Sequence, residues 1–289
     1  MAAKKRPYTS KDVTLAAGHR LRYYDWAGTG PALILLHGSS GYGLLWEWTA
    51  NELGDRFHVI APDQRSHGDS DSPNGDYCAE EYARDVHELI QALGLGTAFV
   101  GGYSLGGRAA QVFAALYPDE CEGLILVGGL HLSTFFHERD RTAGVIESAY
   151  RAFRAPTEFA SREEALTFLR GMRQHDTEES HAHRISHNMD RSGETYRFKY
   201  DPVRVTQGRL HMNTDLRKHA ALVTCPVAIF RSTTGSELAT WQEARDLARI
   251  WRNATVRDVA GDSLLHITGP AGLAAAITDF ITSSSAVNA

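Results

Sequence analysis

Phe99-Val100-Gly101-Gly102-Tyr103-Ser104-Leu105-Gly106-Gly107 is an apolar run that meets glycines, a single serine and then an alanine-rich helical pattern. It reads as a strand that turns sharply into a helix. Gly102 and Gly106 stand two residues either side of Ser104, the G-x-S-x-G spacing of a strained turn that leaves no room for a Cβ at its flanks. Such a turn presents one hydroxyl at the carboxyl end of a strand, beside a helix N-terminus whose free N–H groups and positive dipole end favour an anion. An ordinary glycine-rich corner would use the same glycines. The strand before Ser104 and the helix expected over 108–117 favour a nucleophilic serine instead.

Outward from this turn the chain alternates between strand and helix patterns. Residues 13–16 and 21–26 alternate and carry aromatics, as an opening hairpin does, and 32–36 is a continuous apolar strand of the kind covered on both faces. That strand runs into His37-Gly38-Ser39-Ser40-Gly41, whose small residues allow close backbone approach to a ligand. A helical stretch over 44–53 and a strand over 57–61 follow, and then a polar turn, Pro62 to Ser70, read as a brace for the neighbouring loops. A helix over 80–93 stops at Gly94, and strands follow the same logic at 123–127, 226–231 and 254–259. Helices are expected over 237–251 and 270–281, with a fraying polar end from 282 to 289. Repeated units of this kind imply an α/β fold, a mostly parallel sheet with helices on both faces. Between 131 and 214 the alternation stops. We read that segment as an inserted helical lid, with 1–130 and 215–289 forming the core.

The chain has 289 residues, 43% of them hydrophobic, which suits one large domain with an insertion. A formal net charge of −5 gives no argument for nucleic acid, and neither a membrane span nor a secretory segment is legible. The cytoplasm is the expected location and a small molecule the expected partner. Cys78, Cys121 and Cys225 are odd in number and far apart in sequence, which suits reduced thiols. Seven of the 14 histidines fall in the insertion, but the Glu178, Glu179, Arg184 and Asp190 around His181, His183 and His187 read as a wet helix face. Neither a metal nor a cofactor is expected. Trp46, Trp48, Tyr103, Phe135 and Phe136 are candidates to line an apolar pocket, or to serve simply as packing.

These motifs together resemble the α/β hydrolases of the lidded single-domain type. His37-Gly38-Ser39, the Asp63 to Ser70 turn, Gly102-Tyr103-Ser104-Leu105-Gly106 and Asp215-Leu216-Arg217 ahead of Cys225-Pro226 carry the likeness over almost the whole chain. The resemblance implies Ser104 as nucleophile and the N–H groups of Ser39 and Leu105 as an oxyanion hole. It also implies an acid after the strand 226–231, where no carboxylate occurs before Glu237. The family's histidine position falls on Ser263, and His266 lies where relatives often carry a second, non-catalytic histidine. Ser66 stands where glycine is usual. Two readings follow: a serine hydrolase of small ester, lactone or carbon–carbon substrates using Ser104 with His266 and Glu237, or a triad-deficient relative that binds ligands or does cofactor-free lyase or oxygenase chemistry.

Overall fold

The computed structural model describes residues 5–128, 138–172, 176–234, 248–251 and 253–287. Eight strands form one sheet in the order β1-β2-β4-β3-β5-β6-β10-β11. They are β1 Thr9–Thr14, β2 Arg20–Trp26, β3 Ala32–Leu36, β4 His58–Pro62, β5 Ala98–Tyr103, β6 Cys121–Val127, β10 Val227–Ser232 and β11 Ala254–Val259. The β1–β2 and β2–β4 pairs are antiparallel, and the others are parallel.

The apolar runs make central strands because both sheet faces are covered. Ile34 and Leu36 of β3 point into the cluster shared with α2 Ala79–Leu93 and α3 Leu105–Leu116, while Leu33 and Leu35 face α1 Glu47–Leu53 and the final helix Pro270–Val287. Alternation within one apolar strand thus feeds two cores. The α2 helix ends at Gly94, whose φ of 63° is the left-handed conformation that glycine adopts without a Cβ penalty.

The α3 helix starts at Leu105, immediately after the serine, rather than at 108. The final helix continues to Val287, where fraying was expected from 282. Its serine hydroxyls are accommodated within the helix, Ser283 Oγ donating to Phe280 O (2.9 Å) and Ser285 Oγ to Ile281 O (3.0 Å). The helix expected over 237–251 lies largely outside the described residues.

The segment expected to be mostly helical carries strands as well as helices. Helices α4 Glu138–Arg154, α5 Arg162–Met172, α6 Glu178–His187 and α7 Pro202–Leu210 accompany a separate three-stranded antiparallel sheet of β7 Glu158–Phe159, β8 Met189–Ser192 and β9 Thr195–Phe198. Phe159, Leu166, Leu169, Ile185, Met189, Phe198 and Val205 give this region its own apolar core. His183 of α6 ties it to the sheet domain, with Nδ1 2.6 Å from the Tyr42 hydroxyl and Nε2 3.0 Å from Glu47 Oε2.

Asp201 caps α7 by accepting from Val203 N (2.9 Å) and Arg204 N (3.2 Å). Asp201→Ala is expected to lower stability by about 1 kcal/mol and the Tm by about 2–4 °C. Calorimetry showing an unchanged transition would contradict this role for the cap.

Candidate active site

Ser104 stands at the end of β5 with φ 52° and ψ −116°, a conformation that an L-residue holds only when its surroundings enforce it. The flanking glycines supply the enforcement. A Cβ on Gly102 would lie 2.3 Å from Gly106 C, and one on Gly106 would lie 2.3 Å from Leu36 O. The turn therefore packs backbone against backbone, and Gly106 N donates to His37 O at 3.1 Å. Leu105 is the first residue of α3, so its N–H has no acceptor within the helix.

The loop after β3 crosses directly over this turn. A Cβ on Gly38 would be 3.3 Å from Ser104 Cβ. Gly41 N donates to Gly38 O (2.9 Å), closing a turn whose third residue, Ser40, has a φ of 60°. Ser39 lies within it.

Two buried histidines hold the loop. His67 Nε2 accepts from Ser40 N at 3.1 Å while its Nδ1–H donates to Arg65 O at 2.9 Å, and His37 Nε2 accepts from Gln64 N at 3.0 Å while its Nδ1–H donates to Gly38 O at 2.8 Å. Each ring must be neutral to accept. Burial pulls His67 down to about 4 and His37 well below the usual histidine value. Asp63 completes the brace, accepting from Gly43 N (2.6 Å) and Asp69 N (2.9 Å), with its carboxyl pushed up to about 6 by burial. Arg65 makes a bidentate pair with Asp85, both contacts at 2.7 Å. The polar turn is thus structural around the loop, and Ser66 takes the left-handed φ of 63° that explains why glycine is usual there.

Ser263 lies in the loop after β11, where its carbonyl oxygen would be 3.1 Å from a Cβ on Gly128 and the Tyr103 ring 2.8 Å from the same point. This loop therefore reaches the flank of Tyr103, the residue before Ser104. Ser263 Oγ donates to Asp262 Oδ1 at 3.1 Å. His266 sits one turn further, on the short helix Leu265–Thr268, with only 1% of its surface exposed. Its ring packs 4.7 Å from Trp46 and 5.3 Å from Tyr103, centroid to centroid.

Among the described residues the Ser104 hydroxyl has no hydrogen-bond partner. Trp46 has no exposed surface and packs in the core, the second of the two roles the sequence left open for it. Tyr103 is 9% exposed and borders both glycine loops. Glu237 and Phe135 lie outside the described residues, and Ser232, Thr233 and Thr234 bring no carboxylate to the end of β10. No group of three or more His, Cys, Asp or Glu side chains among the described residues is placed to hold a metal ion.

Sequence reasoning read the turn that carries His67 as a brace, but it assigned no such part to His37 and did not identify the ring contacts of either histidine. Their tautomers depend on contacts between loops that no local spacing reveals.

An eight-stranded sheet of this order, with a serine on a strained turn after its fifth strand, is the architecture of the α/β hydrolases. A family model for the alpha/beta hydrolase fold matches residues 31–270, and the chain belongs to that family. It is 40% identical to the 2-(acetamidomethylene)succinate hydrolase of Mesorhizobium japonicum over 100 residues, 35% of this chain and 36% of that protein. It is 39% identical to Lipase 3 of a Moraxella species over 120 residues, 40% of this chain and 38% of the lipase. The matched stretch thus spans about a third of the length of these relatives. Among solved structures, an E-2-(acetamidomethylene)succinate hydrolase superposes with a TM-score of 0.83 at 26% identity, covering 96% of this chain and all of that one. A Thermogutta terrifontis esterase superposes with a TM-score of 0.73 at 23% identity, with 96% and 99% coverage. Among the described residues, no helix is long and apolar enough to cross a membrane.

Proposed function

We propose that the protein hydrolyses a small ester, lactone or related carbonyl compound, with Ser104 as nucleophile and the N–H groups of Ser39 and Leu105 as the oxyanion hole. The observation that carries this reading is the strained φ of Ser104 between glycines that cannot bear a Cβ, directly under the loop braced by His37 and His67. Strain of this kind is retained where it presents a reacting group. Two preorganised donors would stabilise the tetrahedral oxyanion, each worth about 3 kcal/mol in the transition state. The similarity to a succinate-derivative hydrolase, a lipase and an esterase supports carbonyl hydrolysis as the reaction class.

A second reading, a triad-deficient member of the fold, is favoured by one observation. Among the described residues Ser104 Oγ has no hydrogen-bond partner, and a serine occupies the loop position at 263 from which a base would approach. Serine attack needs a proton acceptor, so the two readings differ in rate more than in site.

Brief exposure to p-nitrophenyl acetate followed by peptide mass spectrometry tests the nucleophile. An acetyl group on the peptide containing Ser104, absent from Ser104→Ala, is expected. Acetylation elsewhere, together with unchanged turnover in Ser104→Ala, would remove Ser104 from the reaction.

A further inference from the structure

A cavity of about 290 Å³ lies under the insertion and reaches the sheet domain at Ser40, the residue after the proposed oxyanion donor Ser39. Four charged side chains line it: Glu147, Arg151, Arg184 and Arg209. Three of these charges are matched. Arg151 pairs with Glu147, and buried Arg184 pairs with Asp176 through Nε at 2.9 Å. Arg209, in the last turn of α7, has only neutral partners: Nη1 donates to Ser148 Oγ at 3.1 Å and Nη2 to Ser40 Oγ at 3.2 Å. Its Nε is buried with no acceptor, and among the described residues it makes no ion pair. Burial lowers the Arg209 pKa, as expected for a cation enclosed without a counter-charge.

An unmatched guanidinium facing a cavity is costly unless an anion arrives to share its donors. The structure assigns Arg209 as the specificity residue for a substrate carboxylate, held in this cavity while the scissile carbonyl lies at Ser104. The assignment rests on the reading of Ser104 as nucleophile. With Arg151 matched by Glu147 and Arg184 by Asp176 behind the wall, one positive charge is left over, which matches a monoanion better than a phosphate dianion. Ser40 is two residues from Gly38, at most about 7 Å of chain, and a Cβ on Gly38 would lie 3.3 Å from Ser104 Cβ, so the cavity and the serine border the same loop and a short substrate with a carboxylate at one end and the scissile carbonyl at the other would bridge them. Half-esters of succinic or glutaric acid have this form. Asn188 Oδ1, also on the wall and buried without a partner, offers an acceptor to an N–H or O–H of the same ligand.

The test uses the full-length Ser104→Ala protein, which holds esters uncleaved, titrated calorimetrically with monoethyl glutarate and with diethyl glutarate. The half-ester is expected to bind at least about tenfold more tightly than the diester. That preference should vanish when Arg209→Met is added and persist in part with Arg209→Lys, which also serves if the methionine variant fails to fold. Equal binding of the two esters, or a preference that survives Arg209→Met, would overturn the assignment. Inorganic phosphate displacing the half-ester at lower concentration than glutarate would overturn the carboxylate in favour of phosphate. Turnover by the unmodified protein separates the two claims: half-ester preference without hydrolysis keeps Arg209 and sinks the Ser104 reading, and hydrolysis without preference does the reverse.

Discussion

Replacing Ser263 by histidine is expected to raise aryl-ester turnover by about 10²-fold or more, the usual contribution of a positioned general base. The loop carrying Ser263 already reaches Tyr103 and Gly128 beside the Ser104 turn, whereas His266 is enclosed between Trp46 and Tyr103 a helical turn later. A histidine at 263 would supply an acceptor that no described residue gives Ser104, allowing the hydroxyl to attack as its proton leaves. Recovery should be partial, because the residues described at and after the end of β10, Ser232 to Thr234, offer no carboxylate to orient the new imidazole. His266→Ala should leave the rate nearly unchanged and lower stability, since its ring fills the core. Steady-state kinetics on p-nitrophenyl butyrate decide the matter. If His266→Ala abolishes turnover and Ser263→His adds nothing, His266 is the working base.

The second large effect is on stability in acid. The unfolded chain takes up protons on its histidines near pH 6.5, but His67 in the fold resists until about pH 4 because burial penalises its charged form, and its Nε2 accepts from Ser40 N. Between those values the unfolded state binds more protons, so stability falls as pH falls, by about 3 kcal/mol for His67 alone. His37 shifts in the same direction. Asp63 acts with the opposite sign: its carboxyl, raised to about 6, takes a proton in the fold before it does in the unfolded chain. That gain offsets roughly one histidine, also about 3 kcal/mol, and leaves the other's loss uncompensated. Urea unfolding at pH 7 and at pH 4.5 should therefore show a net loss of stability on acidification. His67→Gln, which keeps an acceptor for Ser40 without titrating, should shallow the slope by close to one proton. A slope identical in the variant would show that His67 does not titrate as described.

Much of the fold was legible because its signals are steric and local. Gly102 and Gly106 announce the elbow since no Cβ fits there, and the apolar runs at β3 and β5 could only be strands covered on both faces. The insertion was less readable. Its β strands are two to four residues long, too short for alternation to register, and they pair only within the segment. The polar end of the final helix misled for a different reason: its serines return hydrogen bonds to the preceding turn, which composition alone does not show. At the site, the serine and the loop above it could be placed from motif spacing. Arg209 could not, because an arginine near the end of a helix normally faces water, and only the packing of α7 over Ser40 encloses it.

The private core of the insertion divides the labour of the chain. Apart from Ser40, every described residue lining the cavity comes from the insertion, while Ser104 and the loop above it belong to the sheet domain. Substitutions that reshape the cavity are therefore absorbed by a body that packs on itself, and the strained turn need not readjust. Substrate preference and reactive geometry can drift independently, so a population of such sequences can explore new ligands without first dismantling the machinery that would process them.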